Sequence, residues 1–142
     1  MIMPGFALKD IETSGATIRL RHGGEGPPLL LLHGNPMTHV AWHKVAPRLA
    51  QNFHVVAADL RGYGDSSAPL EDPDYANYSF RAMAQDQVEV MQALGYNEFY
   101  VAGHDRGART VHRMCLDHPE KIQVTHETLD LLQLMRGCVI PV

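Results

Sequence analysis

The pentapeptide Gly103-His104-Asp105-Arg106-Gly107 has the form G-x-D-x-G. It lies between a short apolar run, Phe99 to Ala102, and a stretch of helical periodicity that continues to about His118. A strand that turns into a helix within so few residues pushes the central side chain into the open, and glycines on either side permit the turn. The amides that open a helix favour negative charge nearby, so a carboxylate there stays ionised. Such a carboxylate is a nucleophile for carbon. It displaces a leaving group, becomes an alkyl ester on its own side chain, and is regenerated when water attacks the ester carbonyl. The same five residues, taken alone, also describe a plain strand–loop–helix corner with an N-capping aspartate.

The next residues narrow the chemistry. Arg106 and Arg109 are three apart, so they share a helical face. Two guanidinium groups beside a nucleophile make a fork for a carboxylate. They also oppose the helix dipole, a placement that calls for a counter-anion. A carboxylate one carbon from the reacting centre describes a 2-haloacid. The alternative is a solvated first turn in which Arg106 pairs with a surface acid.

The elements that must position these groups are legible as alternating apolar runs and amphipathic stretches, the pattern of βαβ units, a parallel sheet and an α/β fold. Phe6 to Thr13 and Ala16 to His22 read as strands of a hairpin around Ser14-Gly15. Leu29 to Leu32 is a continuous apolar run, as in a strand buried on both faces, and it ends in His33-Gly34-Asn35-Pro36. A helix over Ala41 to Ala50, a strand over Phe53 to Ala58 and a polar loop over Leu60 to Pro69 follow. Ser79 caps a helix running to Leu94, where Gly95 stops it; Phe80, Met83, Ala84, Val88, Met91 and Leu94 form its apolar stripe. Pro119 ends the helix that starts at the pentapeptide. Beyond it, Ile122 to Val124 reads as a strand, Thr125 to Arg136 as a helix and Cys138 to Val142 as a strand.

Three landmarks in order, His33-Gly34-Asn35-Pro36, Asp59-Leu60-Arg61-Gly62-Tyr63-Gly64-Asp65-Ser66 and the pentapeptide, resemble the α/β-hydrolase fold over roughly residues 6 to 120. In that fold the loop after the first buried strand and the residue after the nucleophile supply the two amides of an oxyanion hole. The resemblance assigns these to Asn35 and Arg106, with His33 as a packed, hydrogen-bonded side chain and the Asp59 loop as a structural turn. The segments 103–119 (GHDRGARTVHRMCLDHP) and 75–84 (YANYSFRAMA) are similar to those of haloacetate (fluoroacetate) dehalogenases. That resemblance implies Asp105 as nucleophile, Arg106 and Arg109 as the clamp on a small haloacid's carboxylate, and hydrolysis of haloacetate to glycolate and halide with no cofactor or metal. Related haloalkane dehalogenases and epoxide hydrolases usually carry Trp after the aspartate, where this chain has Arg106. An epoxide hydrolase is the second enzyme reading. An inactive, truncated hydrolase that binds or oligomerises is the non-enzyme reading.

The family pattern also needs a histidine base, an acid to orient it, and a helical cap that holds the halide. Family members are much longer than this chain. Residues 1–121 therefore read as the N-terminal part of a hydrolase core, truncated before the cap, and residues 122–142 as a divergent tail. That tail could be a divergent, frameshifted or spliced end, or a fusion across a deleted cap. Asp130 stands near the expected place of the acid, but the polar VTHETL before it suits no buried strand. None of the nine histidines follows His126, and His126 has no family counterpart. His22, His43, His54, His112 and His118 read as structural or exposed, and His104 points away from its neighbour Asp105. As it stands, the chain is expected to form the ester more readily than to hydrolyse it. Half a sheet leaves an open edge, so self-association is expected. A net charge of −4 speaks against nucleic acid and anionic membranes as partners. Cys115 and Cys138 fit no metal or redox spacing and read as reduced thiols of a cytoplasmic protein. There is no signal-peptide pattern, and the longest apolar run, Pro27 to Leu32, is far short of a membrane span.

Overall fold

The computed structural model describes residues 2–123. A five-stranded mixed sheet runs in the order β1-β2-β4-β3-β5. Its strands are β1 (Ala7–Glu12), β2 (Thr17–Gly23), β3 (Pro28–Leu32), β4 (His54–Ala58) and β5 (Tyr100–Gly103). The helices are α1 (Ala46–Leu49), α2 (Phe80–Ala93) and α3 (Arg106–Asp117). β3 pairs in parallel with β4 and β5, as the alternating pattern implies, while β2 pairs antiparallel with both β1 and β4. The N-terminal hairpin thus adds the antiparallel half of the sheet. Among the described residues no helix is long and apolar enough to cross a membrane.

Why β3 carries four consecutive leucines is clear from its position. It is an interior strand, with β4 on one edge and β5 on the other, and a side-chain cluster covers each of its faces. Leu30 and Leu32 face the cluster that contains Ile18, Leu20 and Val56, with Met83, Val88 and Met91 of α2 and Val111 and Met114 of α3. Leu29 and Leu31 face the opposite cluster, with Trp42, Ala46 and Leu49. All four are at most 1% exposed, and each burial stabilises the fold by roughly 1.5–3 kcal/mol.

The register decides where chemistry can occur. Leu32 lies opposite Ala58 on one side and opposite Gly103 on the other. The residues that follow, His33, Asp59 and His104-Asp105, therefore emerge side by side at the carboxyl end of the parallel strands. The chain leaves β3 toward β4 and returns from β4 to the far side at β5, so this is a topological switch point, where such sheets bind ligands.

The expected helix over Ala41 to Ala50 is broken in two. Residues His39–Trp42 form a 3-10 turn capped by Thr38, whose side chain accepts the Val40 N–H, and α1 covers only Ala46–Leu49. Pro47 is the physical reason, since it has no N–H to donate and its ring crowds the carbonyl four residues before it. α2 runs as expected from its Ser79 cap, which accepts the Ala82 N–H, to Gly95 at φ +92°. It also buries Asp86 and Gln87. The Asp86 carboxylate accepts from Arg61 Nε and Nη2, each at 2.7 Å, and from Thr13 Oγ1 at 2.7 Å. One buried anion therefore ties the β1–β2 turn and the loop after β4 to α2.

Ile122 makes a parallel bridge to Phe99, and Gln123 N–H donates to the Phe99 carbonyl at 3.0 Å. Of the strand expected over Ile122 to Val124, the described residues show this single bridge beside β5. That strand's last residue, the helix from Thr125 to Arg136, the strand from Cys138 to Val142, His126 and Asp130 lie outside the described residues.

Candidate active site

Asp105 sits between β5 and α3 at φ 52° and ψ −113°, one of two non-glycine residues with positive φ among the described residues. The strained residue is thus the aspartate itself, and its glycine neighbours serve a different purpose. A Cβ built on Gly103 would stand 2.5 Å from the Gly107 oxygen and 2.6 Å from the Ala108 nitrogen. One built on Gly107 would stand 2.6 Å from the His33 oxygen and closer still to the Leu32 oxygen. The elbow needs glycine because the start of α3 packs backbone to backbone against β3 and β5, a closeness only a missing side chain allows.

The carboxylate does not cap its helix; no side-chain cap bond forms at Asp105. It turns instead toward the loop after β3, where the Asn35 N–H donates to Asp105 Oδ2 at 2.9 Å. Hydrogen bonds from the Asn35 and Arg106 amides hold the Asp105 carboxyl below the usual carboxylate range, and the charge of nearby Arg109 acts in the same direction. The two amides assigned from sequence to an oxyanion hole, those of Asn35 and Arg106, are therefore the two that address this carboxylate. Gly34 makes the approach possible, since a Cβ there would stand 2.7 Å from Asp105 Cβ and 2.8 Å from His104 Nδ1.

Arg106 and Arg109 are both exposed. Neither forms an ion pair among the described residues. The Arg106 guanidinium lies 5.9 Å from the centroid of the Phe80 ring, near the limit of a cation–π contact. The first turn of α3 thus carries two exposed arginines, and among the described residues neither pairs with an acid.

Two histidines near the site, His33 and His39, hold the surrounding loops. His33 is buried; its Nε2 accepts the Leu60 N–H at 3.0 Å, so the proton is on Nδ1, which donates to the Gly34 carbonyl at 2.9 Å. Burial pushes its pKa down, consistent with a neutral ring. Sequence reasoning gave His33 this packing role and read the Asp59 loop as a structural turn, but named no partners for three groups around it. The first is His39, whose backbone N–H and Nδ1 both meet Asp59 Oδ1, at 2.6 and 2.7 Å. The second is Asp59 itself. Burial pushes its carboxyl up, but hydrogen bonds from His39 and the Asp65 N–H outweigh that and leave it below the usual range. The third is Tyr63, whose hydroxyl donates to Asn35 Oδ1 at 3.0 Å. Only the clustering of Asp, Tyr and Gly in residues 59–66 hinted that this loop has fixed partners. Among the described residues no group of three His, Cys, Asp or Glu side chains could hold a metal ion.

An exposed carboxylate on a strained corner, addressed by two amides and followed by two arginines that form no ion pair among the described residues, has the group types that a carbon nucleophile for a small anion would need. Residues 27–124 match the family of the alpha/beta hydrolase fold. A fluoroacetate dehalogenase from Burkholderia sp is 55% identical over 118 residues, 83% of this chain and 39% of that protein. A soluble epoxide hydrolase from Corynebacterium sp. (strain C12) is 37% identical over 116 residues, 82% of this chain and 37% of that protein. The chain thus spans about two fifths of the length of these relatives. The crystal structure of an alpha/beta hydrolase from Nostoc sp PCC 7120 superposes with a TM-score of 0.82 at 51% identity, covering 90% of this chain and 50% of that one.

Proposed function

The chain belongs to the alpha/beta hydrolase fold family, and on that premise we propose that it carries the nucleophile and carboxylate clamp of a hydrolytic dehalogenase for short 2-haloacids, with haloacetate as the simplest substrate. The observation that carries this reading is the Asp105 carboxylate, bonded through Oδ2 to the Asn35 amide and followed in the first turn of α3 by Arg106 and Arg109, both exposed and without an ion pair among the described residues. In this reading the two guanidinium groups take the substrate carboxylate, which neutralises charge at a helix start that otherwise repels cations. The other oxygen, Oδ1, attacks the adjacent carbon from the side opposite the halogen. The carbon–halogen bond breaks, the halide leaves with the bonding electrons, and a carboxymethyl ester of Asp105 remains. Oδ2 becomes the ester carbonyl oxygen, already seated on the Asn35 amide. When water adds to that carbonyl, the same amide and that of Arg106 receive the negative charge.

Identity of 55% to the Burkholderia fluoroacetate dehalogenase supports the substrate class. The water-activating base and the group that receives the halide are assigned, in this reading, to the rest of the whole protein. An epoxide hydrolase is the second reading, favoured by the similarity to the Corynebacterium enzyme. An epoxide leaves no halide and needs an acid to protonate its oxygen, and it has no use for two arginines beside the nucleophile. Fluoride release from fluoroacetate, followed beside consumption of styrene oxide, separates the two. The proposal expects at least one equivalent of fluoride per chain and no epoxide loss above that of an Asp105→Asn control. Epoxide consumption without fluoride release would overturn it.

A further inference from the structure

Tyr63 stands in the loop after β4, far in sequence from the nucleophile, yet one residue separates it from Asp105 in space. Its hydroxyl donates to Asn35 Oδ1 at 3.0 Å, and the backbone N–H of the same Asn35 donates to Asp105 Oδ2 at 2.9 Å. The Tyr63 ring meets the His33 ring edge-on, with centroids 5.2 Å apart. His33 in turn bonds both the Gly34 carbonyl and the Leu60 N–H. The loop after β3 is thus gripped twice by the loop after β4: at its base by His33 and Leu60, and at its tip by Tyr63.

We propose that Tyr63 is a positioning residue for the reaction: through the Asn35 side chain it fixes the Asn35 backbone N–H on the nucleophile and, later, on the oxyanion. Residues 34–37 lie outside the strands and helices, and Asn35 is exposed. A loop in such a position loses its aim by small rotations unless its side chains are tethered. Among the described residues the Tyr63 hydroxyl is the one partner of the Asn35 side chain. The hydroxyl does not reach Asp105 directly; it acts on an amide that does. This inference rests on the proposed roles of Asp105 and Asn35.

Tyr63→Phe removes the hydroxyl and keeps the ring on His33. The expected effect is a roughly two- to tenfold slower formation of the Asp105 ester, the range that one net hydrogen bond spans, with little change in the fluoroacetate concentration at half-maximal rate. A readout independent of turnover is the titration of Asp105 followed by carboxyl 13C NMR, with Asp105→Asn to identify the signal. Its midpoint should move upward in Tyr63→Phe, because the Asn35 N–H no longer stays on the carboxylate. Tyr78→Phe is the control; it also deletes a loop hydroxyl, one bonded to the Pro69 carbonyl, and should leave Asp105 unmoved. In an Asn35→Ala background, which keeps the amide and removes the tether, Tyr63→Phe should add no further change. An unmoved titration in folded Tyr63→Phe, or additive effects in the double variant, would overturn the proposal. Absence of any ester in the wild type would strike the proposed reaction instead, and the titration would still decide the role of Tyr63.

Discussion

Gly34→Ala is the sharpest single perturbation of the site. The added methyl would lie 2.7 Å from Asp105 Cβ, 2.8 Å from His104 Nδ1 and 3.2 Å from Asp105 Oδ2. Carbon atoms in contact sit about 3.5–4.0 Å apart, so the two loops must separate by roughly 0.8 Å or more. Asp105 Cβ is fixed by a backbone that β5 and α3 hold on both sides. The shift therefore falls on the 2.9 Å bond from Asn35 N–H to Oδ2, stretching it beyond useful hydrogen-bond length. A misplacement of about 1 Å costs on the order of 10²-fold in rate, similar to the loss of an oxyanion donor. Stability changes much less. Overpacking costs about 1–3 kcal/mol, and alanine returns about 0.4–1 kcal/mol by restricting the unfolded chain. For a chain of this size the net amounts to a fall in Tm of at most about 10 °C. The assay pairs the time course of ester formation from fluoroacetate, read by intact mass, with thermal unfolding. Ester formation at the wild-type rate in a folded Gly34→Ala chain would refute the reasoning, because the amide contact would then be irrelevant to the nucleophile.

Three further outcomes follow from the same contacts. Replacing Arg109 with Gln, or Arg106 with Gln, should raise the fluoroacetate concentration needed for half-maximal ester formation by roughly 10- to 100-fold, the worth of a charge-assisted hydrogen bond; an unchanged concentration dependence would remove the clamp. Asp86→Ala should destabilise by about 3–5 kcal/mol in urea unfolding, since it strands the buried Arg61 guanidinium; a loss below about 1 kcal/mol would show the pair to be dispensable. Burial lowers the pKa of His22, His33 and His54. Each is neutral in the fold and takes up a proton more readily when unfolded, so the stability they contribute is present above their unfolded pKa of about 6.5 and is lost as pH falls below it. Urea midpoints should therefore drop between pH 7.5 and 5.5, well above the window near pH 4 and below in which Asp59 would act, and a flat profile there would contradict the assignment.

Local signals in the sequence carried most of the fold. The leucines of β3, the Ser79 cap, Gly95 and Pro119 mark elements whose ends are set by neighbouring residues, and those ends fall within a residue or two of expectation. The helix expected from Ala41 failed for an equally local reason, because Pro47 outweighs the apolar spacing. The pentapeptide was legible because its chemistry is contiguous. What surrounds it was not. The Tyr63–Asn35, Arg61–Asp86 and Asn35–Asp105 contacts join residues 28, 25 and 70 positions apart, and only the sheet register brings them together. Even the elbow glycines proved to be needed for close backbone packing, while the unusual dihedral belongs to Asp105. Such facts depend on three-dimensional neighbours that composition and spacing do not encode.

The most direct test of Asp105 as a carbon nucleophile is the intact mass of the chain after incubation with fluoroacetate, with peptide mapping across residues 103–119 and Asp105→Asn as control. Fluoroacetate is preferred because chloro- and bromoacetate can alkylate a cysteine thiolate directly. A carboxymethyl group on Asp105, absent from the variant, is the predicted result, whether it accumulates or appears only at the earliest times before hydrolysis. Release of fluoride with the group absent from Asp105 at every time, or found on another residue, would contradict it.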